Sequence, residues 1–412
     1  MAPSKNLKVS KRLIITLSSI YAVSPFAIDS YLPALPIIAN EMQVDISMLS
    51  VTVSLYIFGL AIGQLIGGPL SDKHGRLPII LFGIGIFAVA SLLLTTSTNI
   101  YILWFWRLIQ AIGGGISIVG VPATIRDNAD GKEAAKLFAL VSLIMMIAPS
   151  IAPTIGNFIL SLHNWHAIFY FATAFSCFAM FMSYKYIPHQ SAKERVMLAE
   201  RETVKEKHKG IKFIDVFKHK QAIGYMIAQA FGFAVMMCFV TNSSMVYMEI
   251  FKVSTDTFSI LFAANVIGLI VINRINNLLL NRFEPSTLLR FFLTMQLVGG
   301  VLLVISSFVL DNYFTTIVIA FIMMISANGG VMANASACFL KYFGKDAGTA
   351  SAVLGAFQCA MGASISAFSA FISMGKLGPI VVVMFIASSI ALSAVIYANK
   401  QLKITVESEY IE

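Results

Sequence analysis

The chain has 412 residues, of which 58% are hydrophobic and only 12% charged, and its net charge is +9. Soluble globular domains carry about 25% charged residues, so this composition, with a mean hydropathy of +0.82, excludes that class. The positive balance does not indicate nucleic acid, because the lysines and arginines fall in short connections between apolar runs, where they set membrane orientation.

Apolar runs of membrane length recur along the whole chain, which predicts an all-α polytopic membrane protein of about twelve spans. Lys5, Lys8, Lys11 and Arg12 lead straight into the first span, and no small-residue cleavage site follows, so no cleavable signal is expected. The first six spans are expected at roughly 12–36, 47–70, 78–97, 100–123, 137–160 and 165–187. Between the second and third lies Gly68-Pro69-Leu70-Ser71-Asp72-Lys73-His74-Gly75-Arg76. Its glycines are expected to permit a sharp reversal, while Lys73 and Arg76 hold the connection on the positive side. Gly59, Gly63 and Gly67 precede it at four-residue spacing, which places them on one helix face.

A polar stretch from about 188 to 220 follows, rich in lysine but also carrying Glu194, Glu200, Glu202 and Glu206. The glutamates would oppose phosphate, so an amphipathic segment on the membrane surface is expected rather than a nucleic-acid patch. The last six spans are expected at roughly 221–247, 255–279, 287–310, 313–341, 348–372 and 377–399. The chain thus divides into an N-terminal six-helix half (1–187), a linker (188–220) and a C-terminal six-helix half (221–412), a pattern that suggests internal duplication. The positive connections put both termini in the cytoplasm.

The four cysteines, Cys177, Cys238, Cys338 and Cys359, lie inside apolar runs without metal spacing, and the histidines show no ligand spacing either. No metal or other cofactor is expected. No phosphate-binding loop ending in Gly-Lys-Ser/Thr is present, which argues against ATP drive. No nucleophile, base and acid stand out as a set, so no catalytic residue is assigned and an enzyme is not expected.

Six plus six spans with Gly68, Leu70, Asp72, Gly75 and Arg76 between the second and third resemble the major facilitator superfamily. Its motif there reads Gly-x-Leu-x-Asp-Arg-x-Gly-Arg, with Lys73 standing here for the first arginine. Arg107-Leu108-Ile109-Gln110 resembles the Arg-x-x-Gln-Gly motif of proton-coupled members, with Ala111 in place of the glycine and Gly113, Gly114 and Gly115 following later. The stretch Ala148-Pro149 to Ala152-Pro153, then Gly156-Asn157, resembles the antiporter motif of the fifth span, with Asn157 replacing its final glycine. Asp29-Ser30-Tyr31-Leu32-Pro33 and Arg126-Asp127 are similar to the Bcr/CflA branch of bacterial drug-resistance exporters. The equivalent second-half connection near Asn281–Pro285 keeps no glycine pair.

The resemblance implies a secondary transporter of the bacterial inner membrane, in which two halves rock about a midplane cavity. The Gly68, Asp72, Lys73, Gly75 and Arg76 connection would act as a gate, latched by Arg126 and Asp127. Pro149, Pro153, Gly156 and Asn157 would shape a close helix contact. Physical reasoning adds two centres. A charged residue within the bilayer costs at least about 3 kcal/mol and marks a cavity or a partner. Arg107 lies about 12 Å into its span, either facing the transport path with Gln110 or satisfied structurally by backbone carbonyls. Asp29 lies about 26 Å along the first span. It is either a proton-coupling carboxylate, its protonation set by desolvation and by Arg107, or a turn residue before Pro33 and Pro36. Tyr31, Asn242, Asn328 and Gln358 are candidate cavity-lining groups. The expected function is proton-coupled efflux of small amphipathic compounds or antibiotics by a monomer. The alternatives are export of one endogenous metabolite, such as a siderophore or amino-acid derivative, and an uncoupled facilitator.

Overall fold

The computed structural model describes residues 11–128, 131–187, 216–217, 219–310, 312–343 and 347–409, with the side chains of 72, 126–128, 131–136, 138–139, 142–143, 145–146, 220–221, 347–349 and 401–409 not described. Most of the linker, 188–215, therefore lies outside the described residues. Among those described, every regular element is helical. The helices are α1 (Lys11–Asp29), a 3-10 turn (Leu32–Ala34), α2 (Leu35–Glu41), α3 (Ile46–His74), α4 (Arg76–Leu94), α5 (Ile100–Asn128), α6 (Gly131–Leu162) and α7 (His166–Tyr186). Then follow α8 (Lys220–Ser244) with a π-turn (Met245–Ile250), α9 (Thr255–Leu279), α10 (Pro285–Phe308), α11 (Phe314–Leu340), α12 (Ala347–Ser373) and α13 (Leu377–Glu409). Among the described residues, eleven helical segments are long and apolar enough to cross a bilayer. Helix α6, with its apolar part at Ile147–Leu162, is the remaining span. Hydrocarbon offers no partner for backbone amides, so an all-helical chain is the form such apolar runs must take.

The chain forms two compact units, 1–44 with 55–208 and 45–54 with 209–412. The core of the first includes Leu17, Ile20, Ile80, Ile84, Phe87 and Val121. The core of the second includes Tyr225, Leu289, Phe292, Val331, Phe339 and Val395.

Two connections differ from the sequence expectation. Helix α3 runs unbroken through Gly68 and Pro69 to His74, so Gly68 makes no reversal. Gly75 alone separates α3 from α4, at φ 93° and ψ 159°, a conformation open essentially only to glycine. The first span is not continuous: α1 ends at Asp29 and the chain restarts as the 3-10 turn and α2, with Pro33 and Pro36 as their second residues. Proline lacks the N–H that a continuing helix would donate to the preceding turn, and it suits a helix start.

Apolar burial does not drive helices together in lipid, so close packing over small residues must do it. Gly113, Gly114 and Gly115 do this for α5, each against a different neighbour. A β-carbon on Gly113 would lie 2.6 Å from the Phe87 backbone nitrogen of α4. One on Gly114 would lie 2.9 Å from Ser24 Oγ of α1, and one on Gly115 would overlap the Leu60 carbonyl of α3 and reach 2.9 Å from Gly63 Cα. Gly59 and Gly67 complete the α3 side against Leu108 and Ile116. Helix α11 is built the same way in the second unit, with Gly329 against Leu269 and Asn273 of α9 and Gly330 against Phe292 of α10.

Candidate functional site

The central glycines draw α5 so close to α1, α3 and α4 that a long side chain one or two turns before them must lie among those helices. That side chain is Arg107, which is fully buried. It sits where α1 breaks. The last four carbonyls of a helix have no partner within it, and one of them, Ala27 O, accepts a bond from Arg107 Nη1 at 3.2 Å. A cation is also favoured at a helix C-terminus. The same nitrogen donates to Gln110 Oε1 at 2.8 Å, Gln110 Nε2 donates to Ser91 Oγ at 2.7 Å, and Ser91 Oγ donates to Phe87 O at 2.7 Å. A directed chain of hydrogen bonds thus ties the broken first helix to α5 and α4.

The guanidinium also stands over three aromatic rings, 4.4 Å from the Tyr31 centroid, 5.0 Å from Tyr56 and 5.9 Å from Phe169. Each desolvated cation–π contact is worth up to about 2 kcal/mol, which offsets part of the cost of burying the charge. The Tyr56 hydroxyl is held 3.2 Å from Ser24 Oγ. Nε and Nη2 of Arg107 have no hydrogen-bond partner among the described residues. The planar fork is therefore half committed, and its free edge suits a carboxylate or carbonyl oxygen.

Asp29 is the last residue of α1 and is 6% exposed. It makes no hydrogen bond or ion pair with Arg107 among the described residues, although Tyr56 lies within electrostatic reach of both. Gly156 of α6 packs directly on the backbone of Ser30, so the Pro149, Pro153 and Gly156 segment abuts the break itself. A larger residue at 156 could not fit against that carbonyl. Asn157 is half-buried beside it. Beyond the break, Trp165 Nε1 donates to Glu41 Oε2 at 2.6 Å, fastening α2 to the start of α7.

The structure thus brings Tyr31, Arg107 and Gln110 together and sets Asp29 in the same break. Of the residues expected to form a gate, Gly75 forms the turn, Lys73 is exposed and Arg76 Nη1 donates to Ser71 Oγ at 3.3 Å. The side chains of Asp72, Arg126 and Asp127 lie outside the described residues, and with them the expected latch. In the second unit Asn242 is buried and donates to Cys238 O and Ser369 Oγ, both at 2.8 Å. Asn328 is buried against Met324 O. Gln358 is half-buried and accepts from Gln229 Nε2 at 2.6 Å. Sequence reasoning missed Ser91, Tyr56, Phe169 and the Ala27 carbonyl. Only Gln110 carried a signal, being three residues from Arg107 and so on the same helix face.

The family model described as Major Facilitator Superfamily matches residues 17–367. A bicyclomycin resistance protein homolog of Haemophilus influenzae is 30% identical over 371 residues, 90% of this chain and 92% of that one. Multidrug resistance protein MdtL of Vibrio parahaemolyticus is 28% identical over 403 residues, 94% of this chain and 96% of that one. Among solved structures, a D-xylose-proton symporter superposes with a TM-score of 0.71 at 15% identity, covering 94% of this chain and 97% of that one. At that identity the likeness establishes the fold alone.

Proposed function

Because the chain belongs to the major facilitator superfamily, we propose that it is a secondary active exporter that carries small amphipathic compounds, antibiotics among them, outward across the bacterial inner membrane in exchange for protons. It works as a monomer, with both termini in the cytoplasm and the six-helix halves 1–187 and 221–412 moving as bodies in alternating access. The relatives named for bicyclomycin and multidrug resistance support the substrate class. The observation that carries the reading is the interrupted first span, with Asp29 and a half-satisfied Arg107 at the interruption. Broken spans beside buried ionisable groups are where transporters place substrate and coupling ions.

In this mechanism Asp29 alternates between proton and substrate. Arg107 holds the end of α1 through Ala27 O and offers its free edge to an oxygen of the substrate or of Asp29. Gly75, with Asp72, Lys73, Arg76, Arg126 and Asp127, gates the cytoplasmic side. One observation favours a second reading, export of a single endogenous metabolite: a buried guanidinium edge is a geometrically exacting contact rather than an adaptable one.

The proposal predicts that expression in a pump-deficient bacterium lowers the accumulation of several amphipathic antibiotics, and that an uncoupler abolishes the difference. Unchanged accumulation across a broad panel, with export of one metabolite, would move the assignment to the second reading. Neither effect would refute both.

A further inference from the structure

In the second unit a short hydrogen-bonded relay joins three helices. Ser336 Oγ of α11 donates to Gln229 Oε1 of α8 at 2.8 Å, and Gln229 Nε2 donates to Gln358 Oε1 of α12 at 2.6 Å. Gln229 is 4% exposed, and both of its amide heteroatoms are hydrogen-bonded. The relay has a direction. It occupies the carbonyl oxygen of Gln358 and leaves the Gln358 amide nitrogen, which has no partner among the described residues, as a donor.

Gln358 is only half-buried, and it is the twelfth of the 27 residues of α12, about 17 Å along the helix and near the middle of a bilayer core about 30 Å thick. An amide donor facing hydrocarbon there would be costly. The exposed phenylalanines of α12, Phe368 and Phe371, with exposed Ser364, lie roughly 120° round the helix from Gln358. The Gln358 side carries small residues instead. Ser351 is exposed, and a β-carbon on Gly355 would meet nothing within 4 Å. These two residues fall within about 60° of Gln358 on the helix face, a small-residue track leading from the helix start to the amide.

We propose that Gln358 is a substrate-binding residue whose amide nitrogen donates to an acceptor oxygen (carbonyl, hydroxyl or ether) of the transported compound, and that Ser336 and Gln229 are positioning residues that aim it. This inference rests on the efflux reading above and adds to it a substrate class: neutral compounds bearing acceptor oxygens are read by Gln358, whereas lipophilic cations without such atoms are not.

The test uses the full-length protein in detergent, with two probes. Chloramphenicol carries amide and hydroxyl oxygens; tetraphenylphosphonium carries none. Wild type is expected to bind both. Gln358→Leu and Gln358→Met, which both remove the donor without adding a charge, are expected to weaken chloramphenicol binding about three- to tenfold, the worth of one hydrogen bond. Tetraphenylphosphonium binding should stay unchanged, which also shows the variants to be folded. In sealed proteoliposomes, Ser336→Ala should raise the KM for chloramphenicol transport without changing kcat, and Ser336→Thr should restore it. Equal loss for both probes, or loss for neither, would overturn the inference while leaving the efflux reading intact. A wild-type protein that binds neither probe would overturn both.

Discussion

Asp29→Asn is expected to reduce proton-coupled export to the background rate while the protein still folds. Asparagine has nearly the same shape as aspartic acid but is fixed in the neutral form, so it cannot alternate between binding and releasing a proton. Asp29 makes no hydrogen bond with Arg107, and it ends α1 where the chain turns toward Pro33, so the substitution removes no ion pair there. Its charge is the variable that the proposed exchange requires. Flux in vesicles and thermal stability in detergent, measured on the same preparation, separate the two effects. Wild-type coupled flux in Asp29→Asn would remove this residue from the mechanism.

Arg107→Lys is the second large effect. Lysine keeps the charge, but as a compact point charge it cannot reproduce the planar fork. Arg107 Nη1 now serves Ala27 O and Gln110 Oε1 together, while the guanidinium plane lies over Tyr31 and Tyr56. Losing the stacking and one charge-assisted bond costs about 2–4 kcal/mol. The expected result is a roughly 30- to 700-fold fall in transport at equal charge. Transport within twofold of wild type would show that charge alone suffices and that the fork geometry is idle.

The fold was largely readable because membrane spans depend on apolar length, which a sequence displays directly. The ends of α9 coincide with the expected 255–279, and most others shift by a few residues. The interruption after Asp29 was harder. Pro33 and Pro36 were visible, but a run of apolar residues continues through Leu32, Leu35, Ile37 and Ile38 and reads as one span. Gly68 misled for the opposite reason: a glycine that looks like a turn is accommodated within a membrane helix, and only Gly75 has the backbone angles a turn demands. Arg107 stood out because an intramembrane charge is rare. Its partners did not, since Ser91, Tyr56 and the Ala27 carbonyl are joined to it only by the packing of four helices. Gly113, Gly114 and Gly115 read as a motif slightly out of register, whereas the structure gives each a separate neighbouring helix. The relay from Ser336 through Gln229 to Gln358 spans helices far apart in the chain and has no spacing by which a sequence could announce it.

Everted vesicles carrying the protein, loaded acid and diluted into alkaline buffer, test the central claim most directly. The account predicts that the imposed gradient drives substrate inward, that adding substrate releases lumenal protons, and that Asp29→Asn vesicles do neither. Substrate flux that ignores the imposed pH gradient would contradict it.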